Sequence, residues 1–124
     1  MISLLLLVND NRYLLFKRRD SNLYALPGGH VEEGETPLDA VIREIYEELN
    51  ITIPNVKLVG RYPYKNEVLN VYYYNNTEFD TSSIMLDDEH SDYRWFTYYE
   101  VLNSKDVMSN ITMFINDYLN NTNI

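Results

Sequence analysis

The hydrophobic pattern changes period several times along the chain, and each change marks an element. Ile2 to Val8 is a nearly unbroken apolar run, the pattern of a strand buried on both faces. Asn9, Asp10 and Asn11 give a turn, and Tyr13 to Arg18 returns as the second strand of a hairpin. Ser21 and Asn22 break that strand, and Tyr24-Ala25-Leu26 reads as a short extended piece stopped by Pro27-Gly28-Gly29. A helix follows. Val56 to Tyr62 and Val68 to Tyr74 predict a second antiparallel pair, and Asp92 to Thr97 a short strand around Trp95. Ser109 is expected to cap a final helix in which Ile111, Phe114, Ile115, Tyr118 and Leu119 keep helical spacing. Strands before and after one central helix, closed by a terminal helix, predict an α/β fold with a mixed sheet between helices. No repeat, linker or charge block divides residues 1–124, so a single domain is expected.

The central helix has clear ends. Thr36 suits the N-cap, Pro37 the first helical position, and Asp39 puts a carboxylate in the first turn. Asn50 can take the left-handed conformation that ends a helix, with Ile51 behind it. The helix is therefore expected over Pro37 to Leu49. Leu38, Val41, Ile42, Ile45 and Leu49 share one arc and are expected to face the core. Glu44, Glu47 and Glu48 share another, beside Ala40. Like charges three and four residues apart repel by about 0.2–0.5 kcal/mol per pair. Placed near the C-terminus, they also oppose the helix dipole, by about 0.3–1 kcal/mol. Taken alone, this is a solvated acidic face. The same three carboxylates could equally supply oxygen ligands to magnesium.

Charge and cysteine content narrow the choice. Nineteen acidic against ten basic residues leave a net charge of −9, the wrong balance for general nucleic-acid binding. A small anionic substrate held through a metal ion stays open. Cysteine is absent, which removes disulfides, thiolate metal sites and cysteine nucleophiles, and a reducing, cytoplasmic setting is expected. The apolar start is too short for a membrane span, lacks a basic lead, and runs into Asn9-Asp10-Asn11. Neither a signal segment nor membrane association is expected.

Gly28 and Gly29 allow the backbone to approach a ligand closely. From Gly29 the chain reads glycine, five residues, Glu35, seven residues, Arg43-Glu44, Ile45, any residue, Glu47-Glu48, any residue, Asn50, Ile51. This resembles the Nudix box at every position except Asn50, where the family has glycine. Asparagine is the next best left-handed residue, so the departure touches no chemistry. The resemblance implies an α/β/α sandwich and hydrolysis of a nucleoside diphosphate linked to another moiety, using Mg2+ or Mn2+. It implies Glu44, Glu47 and Glu48 as metal ligands, with the Gly28 carbonyl a further contact. It also implies that Arg43 pairs with Glu35, fixing the loop against the helix, and that Gly29 lies against the substrate. The expected partner is a small nucleotide, and the expected state a monomer or homodimer.

Other residues are less specific. The resemblance implies Glu44 or Glu89 as the general base, the latter in the acidic run Asp87-Asp88-Glu89-His90; an exposed loop charge is an equal reading of Glu89. His90 is expected to be structural or exposed. Lys17, Arg18 and Arg19 could meet phosphate, but strand alternation forbids all three in one pocket. Arg18 is the choice, against a plain rim charge. Tyr62, Tyr64, Tyr72, Tyr73 and Tyr74 could stack on a base, though strand and core roles suit them better. The short chain favours a nucleoside triphosphate pyrophosphohydrolase, oxidised nucleotides included. Glu89 to Phe96 is similar to a segment of dinucleoside tetraphosphate hydrolases, and a non-catalytic nucleotide sensor is the alternative from another class. The family's isoprenoid isomerase branch relies on a cysteine that this chain lacks.

Overall fold

The structure is a computed structural model that describes residues 1–76 and 79–122. Its centre is strand β1 (Ile2–Asn9), which pairs in parallel with β6 (Glu67–Asn75) from Ile2 opposite Leu69 to Val8 opposite Asn75. On the other side β1 has two partners in succession. Ile2 to Leu4 pair with β4 (Gly28–His30), and Leu7 to Asn9 pair with β2 (Arg12–Arg18). Strand β2 forks too: past β1 it pairs with β3 (Tyr24–Ala25) through Phe16 and Lys17, while β7 (His90–Thr97) runs along its other edge. Strand β5 (Lys57–Tyr64) closes the far edge against β6. The chain from 24 to 30 is therefore a wedge between the diverging β1 and β2.

The continuous apolar run of β1 follows from two-sided burial. Leu5, Leu7, Leu14 and Phe16 pack against helix α1 (Pro37–Leu49) through Val41, Ile45 and Leu49. Leu6, Val8, Tyr13 and Leu15 face the opposite way, towards Val101 of α2 (Tyr98–Asn103) and Phe114 and Ile115 of α3 (Ile111–Thr122). The result is helix, mixed sheet, helix, as expected. At about 1.5–3 kcal/mol for each fully buried aliphatic or aromatic side chain, these two layers hold the forked sheet rigid around the wedge.

Helix α1 keeps its expected bounds. Thr36 Oγ1 accepts the Asp39 N–H at 3.1 Å, and Asn50 (φ 59°, ψ 34°) is left-handed with its N–H on the Tyr46 carbonyl. Its buried face is rotated from the expected arc: Leu38 is 41% exposed, whereas Ala40 and Glu48 are buried. Glu48 is thus drawn inward at the expense of Leu38. The last helix starts at Ile111, with the Asn110 carbonyl accepting the Phe114 N–H. Asn110 therefore occupies the place expected of Ser109. Strand β4 and helix α2 lie outside the sequence expectation. The first is held by backbone pairing to β1 and by side-chain bonds from Glu48 and Arg43, and the second by a capping box between Thr97 and Glu100.

Candidate active site

Glu44 and Glu48 stand one helical turn apart, so both carboxylates project from one face of α1. Glu48 is 3% exposed, and its Oε2 accepts the Gly28 N–H at 3.0 Å. Burial, reinforced by the negative charges of Glu44, Asp87 and Glu89, pushes the Glu48 carboxyl up to about 8, against the pull of the Gly28 bond. Both glycines of the wedge sit where a side chain would crowd its surroundings. Gly28 has φ 145°, and a Cβ there would strike the Ser3 carbonyl; a Cβ on Gly29 would lie 2.7 Å from the Glu44 carboxylate.

Arg43 ties this face to the loop before the helix. Its Nε and Nη2 fork onto Glu35 at 2.7 and 3.0 Å. Nη1 reaches Glu44 at 3.0 Å and Glu47 at 3.1 Å, and Nη2 also donates to the His30 carbonyl. The fork and the Glu32 N–H hold the Glu35 carboxyl below its ordinary value, the expected effect of hydrogen bonds to the charged form. The arginine fixes the carboxylates in defined planes.

The other side of the site comes from the segment before β7. The carbonyls of Leu49 and Glu48, left open at the helix end, accept the N–H groups of Met85 and Asp87. This docking brings Asp87 and Glu89 to Glu48, so that one carboxylate oxygen of each lies within 4.8 Å of the others. Oxygen-only donors crowded around the buried Glu48 make this end of the site costly without a cation. A hard divalent ion such as Mg2+ or Mn2+ fits that donor set.

These carboxylates open onto a cleft of about 780 Å³ that follows the wedge. Its lining combines the carboxylates Glu44, Glu48 and Glu89 with the apolar side chains Leu4, Leu69, Ile111 and Phe114. Asn110 also lines it, and its Oδ1 is buried with no donor among the described residues. Arg18 lines the cleft with its guanidinium forked on Asp20 at 2.9 and 3.0 Å, while Lys17 lies over the Tyr24 ring.

The structure thus brings Arg18, Gly28, Gly29, Glu44, Glu48 and Glu89 to one cleft, and sets Glu35 and Arg43 behind it. Glu47 is placed apart: it is outside the lining, 56% exposed and paired with Arg43. A residue four positions after Arg43 shares the arginine's face rather than that of Glu48. His90 is buried, with Nδ1 2.8 Å from Asp87 Oδ1. Of the tyrosines, Tyr64 lines the cleft; Tyr72 is in the core and Tyr73 packs on Tyr118. Sequence reasoning missed Asp87 and Asn110. The acidic run gave a signal for Asp87; Asn110 had none beyond its place before a helix.

Comparison with known proteins agrees with this architecture. Residues 2–115 match the NUDIX domain, and the chain belongs to that family. A stretch of 57 residues is 53% identical to an ADP-ribose pyrophosphatase of Methanocaldococcus jannaschii, covering 43% of this chain and 33% of that protein. Another of 59 residues is 34% identical to an RNA pyrophosphohydrolase of Francisella tularensis subsp. mediasiatica, covering 48% and 38%. The matched stretch spans about a third of the length of these curated relatives. A MutT protein of Methanosarcina mazei Go1 superposes with a TM-score of 0.77 at 21% identity, covering 98% of this chain and 94% of that one. A C. elegans Ap4A hydrolase superposes at 0.75 with 20% identity, covering 97% and 96%. Among the described residues no helix is long and apolar enough to cross a membrane.

Proposed function

We propose that this chain is a metal-dependent pyrophosphohydrolase that cleaves the diphosphate linkage of a nucleoside diphosphate joined to another moiety, with nucleoside triphosphates, oxidised ones included, as its main substrates. The observation that carries this reading is the mixed cleft, whose lining combines carboxylates with apolar side chains and the undonated Asn110 Oδ1. A diphosphate suits the carboxylates through a cation, and a flat base bearing an N–H suits the apolar side chains and the Asn110 Oδ1. That division also explains how a chain of net charge −9 accepts a polyanion.

In this reading Glu44 and Glu48 hold the ion, with the Gly28 carbonyl, and Glu47 joins them from the helix rim. Bound Mg2+ or Mn2+ supplies Lewis-acid polarisation of the diphosphate and activation of water. Glu44 or Glu89 accepts the proton of the attacking water. Glu35 acts through Arg43, whose fork keeps Glu44 in place. Arg18 contacts phosphate oxygens after leaving Asp20, and Gly29 lets the substrate lie against the backbone.

The test is a panel of nucleoside triphosphates, 8-oxo-dGTP, ADP-ribose, a dinucleoside tetraphosphate and 5′-triphosphorylated RNA, read by product identity with Mg2+, Mn2+ and chelator. Nucleoside monophosphate and pyrophosphate from a triphosphate, abolished by chelator, are the expected products. Absence of turnover on every substrate in the presence of either metal would refute the hydrolase reading and leave a nucleotide sensor. A second reading, a nucleoside diphosphate sugar, is supported by the name of the 53% identical relative. The Glu89–Phe96 segment supports a third, the dinucleoside tetraphosphate, and the same panel separates them.

A further inference from the structure

Asp87 and His90 lie outside the residue pattern that defines the helix face, yet they make a short contact in the loop opposite it. His90 is 2% exposed and meets the Phe16 ring edge-on. Its Nδ1 lies 2.8 Å from Asp87 Oδ1, which also accepts the Glu89 N–H at 3.2 Å. An ionised carboxylate only accepts, so the Nδ1 atom carries the proton. With Oδ1 engaged twice, Asp87 keeps Oδ2 as its other acceptor. The Asp87 N–H is fixed on the Glu48 carbonyl at 3.1 Å, and the Glu89 carbonyl is fixed by the Arg19 N–H at 2.9 Å. The loop is thus pinned by backbone at both ends, and its acidic side chain is pinned by one buried imidazole.

We infer that Asp87 is a further carboxylate facing the divalent ion, and that His90 is a positioning residue that holds it there through the Nδ1–Oδ1 contact. This rests on the metal site proposed above. The physical reason is that a carboxylate supplies a directed ligand oxygen only when its plane is set by a partner outside the ion's own shell. Glu48 is set in this way by the Gly28 N–H and Glu44 by Arg43. On the loop side, His90 does the same for Asp87.

The test is Mn2+ titration of the full chain without substrate, by electron paramagnetic resonance of the free ion, together with melting in chelator. Asp87→Asn keeps the size and the Oδ1 acceptor of the loop but removes the charge, and is expected to weaken Mn2+ binding by about tenfold or more. His90→Leu keeps an apolar body without a donor, whereas His90→Asn keeps an N–H near the Nδ1 position in a smaller side chain. A positioning role predicts opposite rankings: leucine melts no lower than asparagine in chelator but binds Mn2+ more weakly. Combining His90→Leu with Asp87→Asn should weaken binding no further than Asp87→Asn alone. Wild-type Mn2+ affinity in Asp87→Asn overturns the inference, as does His90→Leu binding Mn2+ as well as His90→Asn. Glu48→Gln is the control. If it too leaves Mn2+ binding unchanged, the metal site itself is refuted; if it alone weakens binding, only the Asp87–His90 inference falls.

Discussion

Replacing Glu48 by glutamine tests the electrostatic core of the site without reference to catalysis. The Glu48 carboxyl is 3% exposed, and burial with three neighbouring carboxylates lifts it from 4.5 to about 8. The folded state therefore binds this proton more tightly than the unfolded chain. Its contribution to stability is full below pH 4.5 and is lost as the pH rises towards 8. A tenfold difference in proton affinity is worth about 1.4 kcal/mol, so the whole window has a ceiling of about 5 kcal/mol. Against a typical total of about 5–15 kcal/mol, half of that is easily measured. Glutamine is neutral throughout and still accepts the Gly28 N–H. Urea denaturation in chelator at pH 5 and pH 8.5 should show wild type and Glu48→Gln nearly equal at the lower pH. At the higher pH the variant should be more stable by about 2–5 kcal/mol. Millimolar Mg2+ should close the gap by stabilising wild type selectively. A gap between the two proteins that does not change with pH would refute the reasoning.

Three further outcomes follow from the geometry. Turnover should fall by at least about 100-fold in Glu47→Gln and in Glu48→Gln; wild-type turnover in both would restore the solvated-face reading. In a double-mutant cycle on Arg43 and Glu35, which form the 2.7 and 3.0 Å fork, the double variant should lose less activity than the sum of the singles, and strict additivity would count against coupling. At Asn50, where φ is 59°, glycine should be tolerated and valine should melt lower, by the left-handed penalty of about 1–2 kcal/mol; equal melting of the two variants would contradict that role.

The features legible from sequence were those written in side-chain periodicity. The two-sided run of β1, the hairpin to β2 and both ends of α1 depend on which side chains are apolar or cap a helix, and these the chain displays. Strand β4 was not legible, because Gly28 and Gly29 pair through backbone and present no side-chain pattern. Helix α2 did carry a signal, the Thr97-to-Glu100 capping box, obscured by its short length. In the site, the Glu44–Glu48 face could be read from helical spacing. The turn of Glu47 to Arg43 also lay in that spacing, four residues apart, but the arc that grouped the three glutamates left it out of account. Asp87 reaches Glu48 only through hydrogen bonds between distant backbone segments, and no local pattern encodes those.

The wedge between β1 and β2 has a consequence for how such a protein can change. Its acidic wall is anchored in α1 and the segment docked on it, whereas its apolar wall belongs to β6 and the start of α3, across the sheet. Leu69, Ile111 and Phe114 belong to a different core layer from the apolar face of α1, so substitutions there would reshape the cleft while leaving the helix that carries the carboxylates undisturbed. On the proposed function, selection could therefore exchange one ligand for another by editing a single layer, with the carboxylates inherited intact from the other.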